Sequence, residues 1–405
     1  MKTQRYAWIL VGLLWVVALL NYLDRQIVFS VFPLLEAEFN PSSLQLGLLG
    51  TVFLWVYAFM SPISGFLGDR FGRRKVIVVS LIVWSSVTWA TAHATDFLYL
   101  LWTRALMGIS EACYIPAALA LIADYHGGRT RSLATGIHQS GIYAGIVLGG
   151  LGGGWLGEHY GWRFAFSLLG VTGVLYVPVL LCSLKDAETG NGFDIHHQGE
   201  GRLLASLKEI MSLPGFFTMA GVFMATSIGG WVVFTWMPLY LYERFHMSLT
   251  ESGFSATFYM QAGSVGGILW GGWLADRWSR RTRRGRLLTQ GAGLMLASPF
   301  LFIAGLTSSQ QILVLSLLCF GFGRGIYDCN TMPVLCQVAR PALRATGYGL
   351  FNFVGTLAGG TMAAGAGLIK TTMGLGGALQ MSAVILLASS ILLFRLNLPK
   401  EGDRD

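Results

Sequence analysis

Apolar residues run in blocks of about 20 along nearly the whole chain, and each block is closed by a short polar or charged turn. A block of that length crosses the hydrocarbon core of a bilayer as an α-helix. The first block reaches from near the N-terminus to about residue 35. The others fall at roughly 44–68, 75–93, 97–123, 131–157, 162–183, 215–242, 250–275, 285–306, 309–337, 342–369 and 373–396, to within about four residues. The pattern predicts an all-α membrane protein of twelve transmembrane helices in two six-helix bundles. The first bundle is expected over 1–184 and the second over 211–405, joined by a polar linker over 185–210. Lys2 and Arg5 ahead of the first block imitate a signal peptide. The apolar run continues past Asp24 and Arg25, however, and no small-residue cleavage site interrupts it, so it is expected to remain as span one.

Composition supports this reading. Hydrophobic residues make up 54% of the chain and charged residues 12%, about half the charge of an ordinary soluble protein. Mean hydropathy is +0.58. The 53 glycines suit membrane helices, where small residues let backbones approach. The net charge of +8 does not form a nucleic-acid face, because the lysines and arginines sit in short turns. Alternate loops are basic: Lys2 and Arg5, Arg70 to Lys75, Arg129 and Arg131, Lys185 to Lys208, Arg277 to Arg286, Arg340 and Arg344, Arg395 and Lys400. That bias places both termini and the linker in the cytoplasm. The five cysteines lie in or beside apolar runs without metal-ligand spacing and are read as small core residues. His196 and His197 have no third ligand nearby and are read as part of a solvated linker, and residues 203–211 as a short surface helix.

Two repeats relate the halves. A charged turn carries Gly65, Gly68, Asp69, Arg70, Gly72, Arg73, Arg74 and Lys75. It recurs as Gly272, Asp276, Arg277, Arg280 and Arg281, offset by 207 residues (276 minus 69). An intramembrane carboxylate five residues before a proline also occurs twice, as Glu111 with Pro116 and Asp328 with Pro333. Parallel halves with a site between them are a transporter architecture. The twelve spans and the turn motif with its degenerate second copy resemble the major facilitator superfamily along the whole chain. Asn21 to Arg25 in span one and Arg104 to Ala112 in span four resemble the anion:cation symporters, which carry sugar acids and other organic anions, usually with protons. The same stretches also resemble the Spinster-type lipid transporters.

The charges inside spans are the candidate chemistry. A charge at mid-bilayer costs at least ~2.5–3.5 kcal/mol on insertion scales, so Asp24 and Arg25 are expected to face the bundle interior. A mutual salt bridge between them is the purely structural alternative. Arg104 and Glu111 are seven residues apart, which puts them on one helix face about 10 Å apart along the axis, with Gly108 between. Each therefore needs a partner elsewhere, and Asp24 and Arg25 are the obvious ones. The four charges sum to zero. The expected roles are proton coupling through Glu111 and Asp24, binding of a substrate carboxylate at Arg25, and holding of a carboxylate by Arg104 when the site is empty. Arginine suits carboxylate binding because its planar fork stays charged and binds bidentately. The family resemblance points to the same four positions. It also implies a substrate contact at Tyr57.

His138, Gln139, Gln261 and Asn352 are intramembrane polar groups read either as substrate ligands or as interhelical hydrogen bonds. Where sugar-acid members carry Gln after a Ser-Gly pair, this chain has Ile142. Arg324 and Asp328, four apart, are read as an intrahelical ion pair or as a second charged pole of the cavity. The turn residues Gly65, Asp69, Arg70, Gly72, Arg73 and Arg74, with Asp276 and Arg277, are expected to gate, through ion pairs that break and re-form. The glycines at 145, 149, 150, 152, 153 and 154 are expected to pack against a helix of the other half. Trp231, Phe234, Trp236 and Tyr240 form an aromatic stripe read as packing or as cavity lining.

The reading is a secondary transporter, expected in the bacterial inner membrane. It takes a small organic anion or, alternatively, a lysolipid. No cofactor is expected beyond the coupling ion, for which a carboxylate cluster suits a proton and also sodium. A single chain holds both halves, so a monomer suffices. A membrane enzyme is disfavoured by the lack of any Ser/His/Asp set, HExxH or nucleotide loop, and a sensor by the lack of a large soluble appendage.

Overall fold

The computed structural model describes residues 2–126, 130–186, 207–339 and 343–396, and these form helices, turns and short irregular links. In order the helices are α1 (Lys2–Ser30), α2 (Phe32–Phe39), α3 (Ser43–Phe71), α4 (Arg73–Thr91), α5 (Phe97–Ala112), α6 (Tyr114–Tyr125), α7 (Arg131–Tyr160), α8 (Trp162–Ser183), α9 (Phe216–Phe245), α10 (Leu249–Ser279), α11 (Gly285–Leu306), α12 (Gln310–Val338) and α13 (Arg344–Arg395). Residues 207–212 are also helical, whereas 203–206 and the His196–His197 pair lie outside the described residues. Among the described residues, nine helical stretches are long and apolar enough to cross a membrane. Two of these contain a break, at Cys113 between α5 and α6 and at Gly374 inside α13 (φ 72, ψ 170). α7 and α10 fall outside the nine because glycine and polar side chains dilute their apolar content.

Local sequence explains where elements end. Ser42 and Gln45 form a reciprocal capping box at the start of α3. Asp96 caps α5 through the Tyr99 N–H at 2.9 Å. Gly72 (φ 88) and Gly161 (φ 83) each reverse the chain in a single residue, α3 into α4 and α7 into α8. A side chain there would be strained whatever the space around it.

The chain divides into two compact units. The first holds Met1–Gly190, Phe234–Thr257 and Ala363–Leu368. The sequence pattern assigns the last two segments to the second bundle, but in the structure they group with the first, because their backbones lie directly on it. Trp236 Nε1 donates to the Ala363 carbonyl at 2.8 Å, and its ring stands edge-on to Phe32. Trp236 and Tyr240 are buried, which makes them packing residues. Glu158 accepts from the N–H and hydroxyl of Thr250.

Within this unit α1 and α7 pack in register. Gly141, Gly145, Gly149 and Gly153 face Trp15, Leu19, Leu23 and Ile27, so both helices present every fourth residue. A Cβ at Gly149 would come 2.8 Å from the Leu23 carbonyl oxygen. The glycine face of span five therefore splits. This stripe meets α1 of the same half, contrary to expectation, and only Gly150 and Gly154 meet residues from the other half, at Gly253 and Leu249. At Gly152 an added Cβ would meet nothing within 4 Å. The core beside this seam is built on Leu14, Trp84, Tyr114 and Leu121.

The second unit holds Asn191–Val233, Phe258–Met362 and Ile369–Asp405. It uses the same device. A Cβ at Gly293 of α11 would come 2.6 Å from the Gly323 carbonyl of α12. Ser264 of α10 donates to the Gly321 carbonyl at 3.2 Å.

The seam fixes the sign of two substitutions. Gly149→Ala is expected to destabilise by about 1–3 kcal/mol through overpacking. Gly152→Ala is expected to stabilise by up to ~1 kcal/mol, as for an unobstructed mid-helix glycine. Thermal unfolding in detergent checks both.

A second expectation concerns Glu38 at the end of α2. Its carboxylate accepts from Arg163 at 2.6 Å and from Trp162 Nε1 at 2.7 Å. The Arg163 hydrogen bond holds Glu38 below the ordinary glutamate value of 4.5. The pair's contribution is therefore complete above that pH and is lost as pH falls through the depressed folded value. Both side chains are more than a third exposed, so the size is ~0.2–1 kcal/mol. Glu38→Gln should lower the melting temperature at pH 7 and match the parent protein near pH 3.

Candidate functional site

The buried charges of the first unit are brought together by α1, α3, α4 and α5. Asp24 and Arg25 are neighbours in α1, so their side chains diverge by about 100°. Arg25 Nε donates to Glu111 Oε2 at 2.5 Å, with Arg25 6% exposed and Glu111 fully buried. The guanidinium lies over three rings, Tyr22 and Tyr57 at 4.6 Å each and Phe53 at 4.9 Å. Such faces attract a cation, more strongly when water is excluded. Gly108 makes the enclosure possible, since a Cβ there would come 2.7 Å from the Phe53 carbonyl and hold α3 away from α5.

Asp24 goes elsewhere. Its Oδ2 accepts from Thr88 of α4 at 3.3 Å, and Arg104 interacts electrostatically with both Asp24 and Glu111. The described residues contain no Asp24–Arg25 ion pair, so the purely structural alternative for these two is not what the structure holds. Asn21 lies one turn before Arg25 on α1, and both atoms of its amide are buried without a hydrogen-bond partner. Around this cluster Asp24 Oδ1, Glu111 Oε1, one terminal nitrogen each of Arg25 and Arg104, and both amide atoms of Gln26 are buried without a hydrogen-bond partner. These atoms retain capacity for a polar ligand or a proton. Directly after Glu111 the helix breaks at Cys113, whose N–H bonds Ser110 three residues back. Pro116 has no N–H for the Ala112 carbonyl, which accounts for a break at this point.

The other candidates are dispersed. Tyr57 is in the ring of aromatics around Arg25. His138 is fully buried, and its Nε2 lies 2.8 Å from the Tyr114 hydroxyl. That hydroxyl also donates to the Leu14 carbonyl at 2.6 Å, so the His138 ring supplies the proton of the Tyr114–His138 bond. His138 thus belongs to the packed interior, and Gln139 beside it is exposed. In the second unit Arg324 Nε and Asp328 Oδ2 are 3.4 Å apart, with the side chains 32% and 46% exposed. The guanidinium lies against Gly230, where a Cβ would displace it. Asn352 is exposed and Gln261 half-buried.

In the charged turn, Gly65, Asp69 and Arg70 occupy the last turns of α3, and the side chains of Asp69 and Arg70 lie outside the described residues. Beyond Gly72, Arg73 pairs with Asp124 and donates to the Ala120 carbonyl at 2.8 Å. Arg74 donates to the Leu181 carbonyl at 2.5 Å, and its backbone N–H to Asp186 at 2.8 Å. In the second copy Asp276 pairs with Arg286 at 3.0 Å and Arg277 stands over Trp273. Sequence reading missed Thr88, Tyr22, Phe53 and Gln26 as neighbours of the charges. Only Tyr22 and Gln26 carried a signal, since they flank Asp24 and Arg25.

The Major Facilitator Superfamily model matches residues 14–363. The chain is 27% identical over 377 residues to the probable galactarate/D-glucarate transporter GarP of Escherichia coli (strain K12), covering 85% of this chain and 84% of that protein. It is 28% identical over 367 residues to the sphingosine-1-phosphate transporter SPNS2 of Xenopus tropicalis, covering 86% and 70%. It is 30% identical over 369 residues to protein spinster homolog 1 of Rattus norvegicus, covering 85% and 69%. A solved bacterial homolog of the human lysosomal transporter Spinster, inward-facing and unoccupied, superposes with a TM-score of 0.79 at 22% identity over 96% of this chain and 95% of that one, a likeness of fold. The chain belongs to the major facilitator superfamily of multi-pass membrane transporters.

Proposed function

We propose that the protein carries a small organic anion, a sugar acid or other carboxylate, together with protons. Transport runs by alternating access between two six-helix bundles of twelve spans, with both termini in the cytoplasm. The protein acts as a monomer in the bacterial inner membrane. The observation that carries this reading is the buried Arg25–Glu111 pair with unpartnered polar atoms around it. Arg25 is the only guanidinium of the pair, so a substrate carboxylate competes with Glu111 for it. A carboxylate deprived of its counter-ion in a low-dielectric interior is lowest in free energy as the neutral acid. Substrate binding at Arg25 and proton uptake at Glu111 then occur together. Asp24, held by Thr88 and facing Arg104, shares the coupled proton with Glu111. Arg73 with Asp124, and Asp276 with Arg286, are ion pairs suited to gating. The names of relatives make galactarate and D-glucarate the first substrates to try.

The test is uptake of radiolabelled D-glucarate into proteoliposomes under an imposed proton gradient. Glu111→Gln should abolish gradient-driven accumulation while leaving exchange counterflow, and undiminished accumulation would remove Glu111 from coupling. Arg25→Lys keeps the charge but loses the fork, and should weaken substrate affinity about tenfold or more, as expected for a charge-assisted hydrogen bond of ~1.5–3 kcal/mol. The second reading, a lysophospholipid or sphingolipid carrier, is favoured by the Spinster-type relatives. Inert sugar acids together with labelled lysolipid uptake would select it.

A further inference from the structure

On the flank of the first unit α3, α4 and α5 leave a groove of about 450 Å³. Its walls are Leu67 of α3, Val76, Val79 and Val83 of α4, and Ile109 of α5. Val79 and Val83 are 57% and 40% exposed, which in this family of membrane proteins means exposed to lipid. Three polar side chains reach the groove, and each turns its hydrogen bond inward. Ser80 donates to the Ser110 carbonyl, Ser110 Oγ to the Met107 carbonyl, and Cys113 Sγ to the Ile109 carbonyl. The walls therefore offer nothing to a polar solute and accept hydrocarbon without penalty.

One cation stands at the groove. Lys75, in the first turn of α4, is exposed and contributes to the lining. Its neighbours are engaged, Arg73 by Asp124 and Arg74 by the Leu181 carbonyl. Lys75 makes no hydrogen bond or ion pair among the described residues, so its charge is available. It belongs to the basic turn that the charge bias assigns to the cytoplasmic leaflet, where anionic headgroups are found.

We infer that this groove holds one acyl chain of an anionic phospholipid whose phosphate rests on Lys75. The site is separate from the buried charges that bind substrate in the proposed function, and depends on that proposal only for the cytoplasmic placement of the turn. Bound lipid ties together α3, α4 and α5, which carry Tyr57, Thr88, Arg104 and Glu111.

Native mass spectrometry of the purified full chain, incubated with phosphatidylglycerol or phosphatidylethanolamine at equal concentration, tests it. Retention of phosphatidylglycerol should exceed that of phosphatidylethanolamine about fivefold, the effect of one basic residue at an anionic surface. Lys75→Gln should bring the two to the same level. Val79→Trp, which fills the groove, should reduce both, whereas Val174→Trp, an exposed apolar position on α8, should leave both unchanged. Melting temperatures identify any variant that fails to fold, and Val83→Phe then replaces Val79→Trp. Equal retention of the two lipids by the parent protein overturns the inference. So does an undiminished preference in Lys75→Gln, or a groove-filling variant that retains lipid as Val174→Trp does.

Discussion

An arginine and a glutamate joined inside otherwise apolar helices impose conditions on everything around them. Each charge alone would be costly in a medium that solvates ions poorly, and removing one partner of such a pair typically costs about 3–5 kcal/mol by stranding the other. The surroundings reflect that condition. Arg25 is enclosed by Tyr22, Phe53 and Tyr57, whose faces favour a cation. Thr88 donates to Asp24. The pair works only if α1 and α5 stay in fixed register, so the demand for charge compensation becomes a demand on helix packing.

That demand is met largely by glycine. Lipid tails are as apolar as the side chains they touch, so helices in a bilayer associate through close contact and not through exclusion of water. Gly108 brings α3 onto α5, and the stripe from Gly141 to Gly153 brings α7 onto α1. The second unit repeats the solution where α11 meets α12 at Gly293 and Gly323. Glycine abundance, which first appears as a compositional oddity, is thus the means by which the charged residues are held at bonding distance.

Much of this was legible in the sequence for one reason. Charges inside apolar runs are rare, so Asp24, Arg25, Arg104 and Glu111 stand out without any structure. The repeated turn and the long apolar blocks are equally visible. The partners were legible as well, since the spacing of Arg104 and Glu111 sends each to span one, and the structure joins Glu111 to Arg25. Thr88 was invisible because a threonine in an apolar span commonly bonds its own helix backbone, as Thr91 and Thr172 do. The destination of the glycine face was misjudged because spacing shows that a helix packs closely but not on which neighbour. For His138 the sequence left open a substrate ligand or an interhelical hydrogen bond, and its contact with Tyr114 fits the second.

The break at Cys113 has a mechanical meaning. Glu111 lies in the last turn of α5, and Asp124, partner of Arg73, lies near the end of α6. An unbroken helix would be a stiff rod, and a push at Asp124 would shift Glu111 by a comparable amount. With the ladder interrupted between them, Cys113 acts as a fulcrum. The arm that carries Asp124 is thereby uncoupled from the arm that holds Glu111 against Arg25.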